Sequence, residues 1–357
     1  MARFRCSKTS LLLTFILSAI PLAFIISLEK SLPQTQHYSY QSNGYLRESA
    51  KYDTLHRRFL VALFEGGVAQ IRVPDNHAPG TLLVEEKVII ESELLGNATL
   101  GVVIDGSRNR VLVVSADVKW NRYGAVAAYD LESFNRLFLT QLSGPGMGCE
   151  ARGAEGLNKK VLRKRGVFHK RDEKSLADDV AVDADGNAYI TDAKASKLWK
   201  VGVNGELLSI IRSPLFVHKQ WYKNLVALNG IVYHPNGFLL VLHTISGTLY
   251  KVDTKSEEVK VVELVGGGSL AFGDGIELIS MNELVVAGNP SGRLVESLDG
   301  WETAKVVAKY WGPAHRLASA VTVKDGKVYL NHMFGFGFGF PKWKHVIVEA
   351  VFMPVNV

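Results

Sequence analysis

The sequence predicts an all-β protein: a six-bladed β-propeller preceded by an N-terminal hydrophobic signal or anchor helix. Three observations carry this. The stretch Leu176–Leu207 reads as short strands (DDVAVDA, NAYITDA, KLWKVGV) separated by turns at Asp185-Gly186-Asn187 and Asn204-Gly205. The same pattern recurs along the chain, with turn signals every roughly 8 to 12 residues, as in sandwiches, barrels and propellers. The innermost strands of the repeats begin at Glu48, Leu100, Asp178, Asn229, Asp274 and Ser319, spaced by 52, 78, 51, 45 and 45 residues. A four-stranded blade takes roughly 40 to 50 residues, so six blades fit if the long interval holds one blade and an insertion.

The N-terminus, residues 1–30, reads as a targeting element. Arg3, Arg5 and Lys8 precede the uncharged run Leu11–Leu28, which is longer than a signal-peptide core and just reaches a membrane span. Ile25-Ile26-Ser27 makes a poor cleavage site. An uncleaved signal anchor with a lumenal propeller, or a cleaved peptide and a secreted one, both follow from this pattern. The sequon Asn97-Ala98-Thr99 suits either outcome, as a glycosylation site in the secretory pathway.

Residues 31–47 are polar and aperiodic and read as a linker, with part of 34–46 a candidate outer strand of the last blade. The propeller occupies 48–357. Blade one is ESAKYD, RFLVALF, GGVAQIRV and LLVEEKVII; blade two is LGVVIDG, RVLVVSA, GAVAAYDLE and RLFLTQL. A basic insertion at 143–175 follows, and blade three is the stretch described above, closing with ELLSIIRS. Blade four is NGIVYHPNG, FLLVLHT, GTLYKVD and EVKVVEL; blade five is DGIELIS, ELVVAG, GRLVESLDG and TAKVVAKY. Blade six has only ASAVTVKDG, KVYLNHMF and HVIVEAVF, hence the need for a strand from the N-terminal side.

The formal charge of +6 is local: Lys159–Lys174 holds eight Lys/Arg against two acids. The rest is balanced, which excludes the basic stripe of a nucleic-acid surface. With only Cys6 and Cys149, and Cys6 ahead of the apolar run, no disulfide framework is available.

Four of the six inner-strand starts carry oxygen: Glu48, Asp178 (or its neighbour Asp179), Asn229 and Asp274. In a propeller such positions converge on the central channel. Carboxylates with an amide, and neither Cys nor His, make a hard-oxygen set that suits Ca²⁺ or another divalent cation rather than zinc or copper. Without a cation the acids would repel one another and raise their own pKa values. No Gly-x-Ser-x-Gly elbow occurs, and Cys149 has no recognisable partner. His243 and His332 sit on second strands and read as core or pocket-wall residues, His234 as a solvated turn residue, and Asp192 as a turn former. The Phe334/Phe336/Phe338/Phe340 run reads either as an apolar lid or as rim packing.

Over about residues 45–352 the repeats resemble the senescence marker protein/gluconolactonase family of six-bladed propellers, within the calcium-dependent phosphotriesterase superfamily and related to paraoxonases and strictosidine synthase. Glu48-Ser49 resembles the family's first-blade Glu, and Asn229-Gly230 and Asp274-Gly275 its Asn-Gly and Asp-Gly motifs. Asp178-Asp179 stands where the family has Asn-Asp. The resemblance implies a catalytic divalent cation, commonly calcium, held by Glu48, Asp178, Asn229 and Asp274. It implies hydrolysis of a small ester or lactone, with Asp274 or Asp178 as the base. The chain departs from paraoxonase-like lactonases at Leu100-Gly101, where they carry His-Gly. A Leu moves no proton, so gluconolactonase-like chemistry, which needs no such His, is the branch implied. The alternative is a non-catalytic secretory-pathway propeller that binds a protein or small-molecule partner and keeps a structural cation. A strictosidine synthase-like condensation lacks an identifiable extra pocket acid.

Overall fold

A computed structural model describes residues 23–28, 35–78, 80–144, 173–337 and 342–355. Six four-stranded units follow one another as antiparallel meanders. Their inner strands are Ala50–Asp53, Ala98–Asp105, Ala177–Val182, Leu228–His234, Gly273–Leu278 and Ala318–Lys324. Each packs against the inner strands on both sides, and the ring closes between the first and the last. The last unit takes its outer strand from the N-terminal side: His37–Ser42 pairs antiparallel with Trp343–Glu349.

The core lies between sheets rather than within one. Among the described residues, six apolar clusters each join two adjacent blades: Tyr38, Phe59 and Ile347 belong to the cluster between blades six and one, and Leu112, Val126 and Trp199 to that between two and three. Strands of β-branched and aromatic residues suit such a fold, because both faces of every sheet meet a neighbour. Buried ion pairs staple the lower hairpins of the first two blades to the next blade. Arg58 Nε donates to Asp53 at 3.0 Å and Arg110 Nε to Asp105 at 2.9 Å. Arg110 also reaches Val203 O at 2.6 Å and Gly186 O at 2.7 Å.

Some pairings lie outside the simple blade repeat, among them Met353–Pro354 on the outer strand of blade five. Leu82–Val84 leaves blade one to pair parallel with His37–Ser42 of blade six. The outer strands of blades four and five join through Glu263–Thr303 and Leu264–Ala304. Among the described residues no helix is long and apolar enough to cross a membrane. Of the expected span Leu11–Leu28 only residues 23–28 are described, and these are helical. The insertion 143–175 likewise falls outside them over 145–172, as do Cys6, Cys149, Phe338 and Phe340.

Candidate functional site

Up-and-down strand order defines an upper rim, where inner strands begin, and a lower rim, where they end. Near the upper rim the inner strands share a local defect. Their pairing with the second strand slips between Thr99 and Val102, Ala177 and Val180, Leu228 and Ile231, Gly273 and Ile276, and Ala318 and Ala320. A β-bulge of this kind re-aims side chains and tightens the twist. The bulges contain Leu100-Gly101, Asp178-Asp179, Asn229-Gly230, Asp274-Gly275 and Ser319. In blade one Glu48 and Ser49 lead into the inner strand, and Ser49 O accepts from Ala62 N at 2.8 Å.

Packing explains the glycines of the Asn-Gly and Asp-Gly pairs. A Cβ on Gly101 would lie 2.6 Å from Asp178 O, on Gly230 2.3 Å from Asp274 O, and on Gly275 2.7 Å from Ser319 O. The next blade's backbone fills that space. Asp179 stands in the equivalent place in blade three, and its carboxylate ties neighbouring strands: Val180 N donates to it at 2.9 Å and Ile231 N, on blade four, at 3.3 Å.

The acids that open these pairs act on one another electrostatically, and on Glu48. Burial pushes the Glu48 carboxyl well above its usual pKa, and Asp274, Asp178 and Asp179 push it further. Asp178 is raised by burial, then by Asp274 and Asp179. Asp274 is raised to about 7 by burial and by Asp179, against a hydrogen bond from Asn229. Asp179 rises less, to about 6, because Lys51 and the two backbone amides oppose its burial. Asp178 and Asn229 are 6% and 7% exposed, whereas Glu48 and Asp274 keep more accessible surface, so water reaches the cluster.

The last blade fixes the position of Glu48. Ser319 Oγ donates to Glu48 O at 2.6 Å, and Asn331 Nδ2 to Arg47 O at 2.7 Å and Ser319 Oγ at 3.1 Å. Arg47 itself is fully buried, with Nε on Glu85 at 2.8 Å and Nη1 on Glu65 at 2.8 Å. Leu100, at the sixth axial position, is buried and apolar.

Carboxylates from three blades and an amide from a fourth fit a hard divalent cation in chemistry. Among the described residues no three His, Cys, Asp or Glu side chains stand in a finished metal-holding group, and uncompensated like charges are a physical reason for such groups to stand apart.

The histidines belong to the packing. His234 is buried rather than solvated, stacked on Phe238 with its Nε2 2.9 Å from Met281 O. His243 and His332 are buried, and burial holds them down to about 4 and about 3. Asp192 accepts from the amides of Leu176, Lys194 and Ala195, as a turn former does. Phe334 packs on Tyr45, and Phe336 lies against His315 and Arg316. At the Asn97 sequon, Asn97 is half-buried and Thr99 Oγ1 accepts from Gly67 N at 2.9 Å.

Two upper-rim features carried no sequence signal. A recess of about 450 Å³ is lined by Gly44, Tyr45, Leu46, Phe64, Glu65 and Lys87 and by none of the axial acids. Among the described propeller residues, the exposed large aromatics Tyr45, Trp120, Trp221, Tyr222, Phe272 and Trp311 all lie on this rim.

No family model matches the sequence, and no curated protein matches it. Among solved structures, the chain is similar to the major allergen Mala s 1 of Malassezia sympodialis, at a TM-score of 0.61 and 15% identity over 88% of this chain and 96% of that one. It is also similar to a protein of unknown function from Bacteroides caccae, at a TM-score of 0.52 and 12% identity over 79% and 87% of the two chains. These likenesses establish a propeller-like β fold and nothing finer.

Proposed function

We propose that this chain is a six-bladed propeller of the senescence marker protein/gluconolactonase kind that hydrolyses a small ester or lactone with a divalent cation, calcium by its donor chemistry, in the central channel. The observation that carries the reading is that Asp178, Asn229 and Asp274 occupy one bulged register at the start of their inner strands, with Glu48 leading into that of blade one, and that the three acids raise one another's pKa values there.

Glu48, Asp178, Asn229 and Asp274 would hold the cation, which when bound supplies Lewis-acid polarisation of a substrate carbonyl. Asp274 takes the proton of the attacking water. Its environment places it near neutrality without metal, the range in which a carboxylate serves as a base, and a bound cation lowers it. Asn229 orients that carboxylate. Asp178 is the second carboxylate positioned for the role. Ser319 and Asn331 hold the Glu48 backbone so that its carboxylate meets the others. Leu100 contributes an apolar wall and no proton, which favours a mechanism without a channel histidine. Asp274→Asn and Asn229→Ala are expected to abolish turnover across a panel of lactones and esters. Unchanged turnover would sink the reading.

The N-terminal run supports a secretory-pathway location, with the propeller lumenal or secreted. His37–Ser42 runs from the lower to the upper rim, so the chain enters the propeller on the side away from the axial acids. A second reading, a non-catalytic propeller with a structural cation, is favoured by one observation: the exposed aromatics gathered on the upper rim, a surface suited to a binding partner.

A further inference from the structure

Every connection from one blade to the next crosses the upper rim, and each of the five described ones exposes a large apolar side chain. Leu95 lies between blades one and two, Trp221 and Tyr222 between three and four, and Phe272 between four and five; Trp311 lies between five and six and Tyr45 between six and one. Trp221 is 75% exposed and Trp311 63%. The connection between blades two and three falls mostly outside the described residues. Beside its described end, where Ser175 N donates to Asn121 O at 2.9 Å, the loop 117–123 exposes Trp120. Among the described residues the lower rim exposes no large aromatic side chain. Exposed apolar surface gathered on one face marks a contact with a protein or a membrane.

The charges on this rim complement a negative surface. Lys119 Nζ and Arg122 Cζ stand over the Trp120 ring at 5.2 and 5.9 Å, and Lys219 and Lys223 flank Trp221 and Tyr222 in sequence. The acids nearby are engaged: Glu65 with Arg47, Glu91 and Glu93 with Arg136, and Glu173 with Lys197 and Arg212. Asp117 accepts from the amides of Lys119 and Trp120. The basic run Lys159–Lys174 belongs in sequence to the connection between blades two and three. Apolar side chains on all sides of the axis are met together only by a partner that is flat and as wide as the propeller. Trp and Tyr beside Lys and Arg are the residues that the headgroup layer of a bilayer takes. We propose that the upper rim docks on an anionic membrane surface, with the aromatic side chains in the headgroup layer and the basic ones on lipid phosphates and carboxylates. The N-terminal run permits this orientation: residues 29–36 can reach roughly 27 Å, more than the roughly 20 Å rise of the strand His37–Ser42. The docking depends on the rim alone and on neither reading of the channel; with the proposed chemistry it turns the channel mouth toward the bilayer.

The test reads tryptophan emission of the full chain on vesicles of phosphatidylcholine and phosphatidylserine, with and without bromine near the headgroup end of the acyl chains. No tryptophan precedes Trp120, so insertion of the N-terminal run alone gives no signal, and Trp199 and Trp301 are buried between blades. Brominated lipid is expected to quench the parent. The quenching should be lost when Trp120→Ser, Trp221→Ser and Trp311→Ser are combined; these side chains are exposed, and circular dichroism checks the fold. Lys119→Ser with Lys219→Ser and Lys223→Ser should weaken it, as should salt near about 1 M, where charges are screened beyond about 3 Å. A parent chain that floats with the vesicles but is not quenched is held by its N-terminal run alone, which overturns the proposal and leaves the rim to a soluble partner. Quenching that persists in the tryptophan variant, or that is equal on phosphatidylcholine alone, overturns it too, as does a parent chain that binds no vesicle.

Discussion

Ser319 Oγ donates to the backbone carbonyl of Glu48 at 2.6 Å, joining the last blade to the first beside the axial acids. Asn331 Nδ2 reaches Arg47 O and Ser319 Oγ in the same seam. Closure of the ring and placement of the first-blade carboxylate are therefore one set of hydrogen bonds. Asn331→Ala leaves the buried Arg47 carbonyl without its donor and is expected to lower unfolding stability by about 2 kcal/mol. Urea denaturation checks this, and the same variant should bind calcium more weakly.

The glycines of the axial pairs should tolerate no side chain. Gly230→Ala would press a methyl group against Asp274 O, where the Cβ position is only 2.3 Å away. Overpacking of this kind costs about 1–3 kcal/mol, and relief by backbone movement would displace Asp274. Reduced stability in denaturant with weakened calcium binding is expected. An unaffected variant would show that the bulge can yield.

Stability against pH carries the signature of the acids. The folded pKa values of Glu48, Asp178 and Asp274 are raised, so between the unfolded values near 4 and the folded ones the native state binds more protons than the unfolded state. Their contribution to stability is full at low pH and is lost as pH rises, for Asp274 through about 7. Cation-free protein is expected to lose melting temperature from pH 5 to pH 8, with a smaller loss in Asp274→Asn. Calcium should restore most of it at pH 8. A calcium-insensitive profile contradicts uncompensated acids at the axis.

Inter-blade staples should outweigh surface pairs. Asp105 and Arg110 side chains are each 4% exposed, and Arg110→Ala leaves a buried carboxylate and two carbonyls behind. A loss of about 3–5 kcal/mol is expected in chemical denaturation. Arg136→Ala, which breaks ion pairs to Glu91 and Glu93 nearer the surface, should change stability by less than about 1 kcal/mol.

Much of the architecture was legible because strand length, turn chemistry and spacing repeat. The axial residues were legible because they occupy one register in separate repeats. The bulges were not, since a slip in pairing leaves no mark in composition. His234 misleads for a related reason: HPNG is a turn by composition, yet stacking on Phe238 and the bond to Met281 O bury its ring between blades four and five. The pairing of Leu82–Val84 with blade six depends on chain geometry that no local pattern encodes.

A single cation site formed by Glu48, Asp178, Asn229 and Asp274 is what the proposed chemistry requires. Calorimetric titration of the cation-free full chain with calcium at neutral pH tests it most directly, with Asp274→Asn beside the parent. One saturable calcium per parent chain is expected, and its loss in a variant that remains folded by circular dichroism. A parent chain that takes up no calcium, or an Asp274→Asn variant that binds it as the parent does, would contradict it.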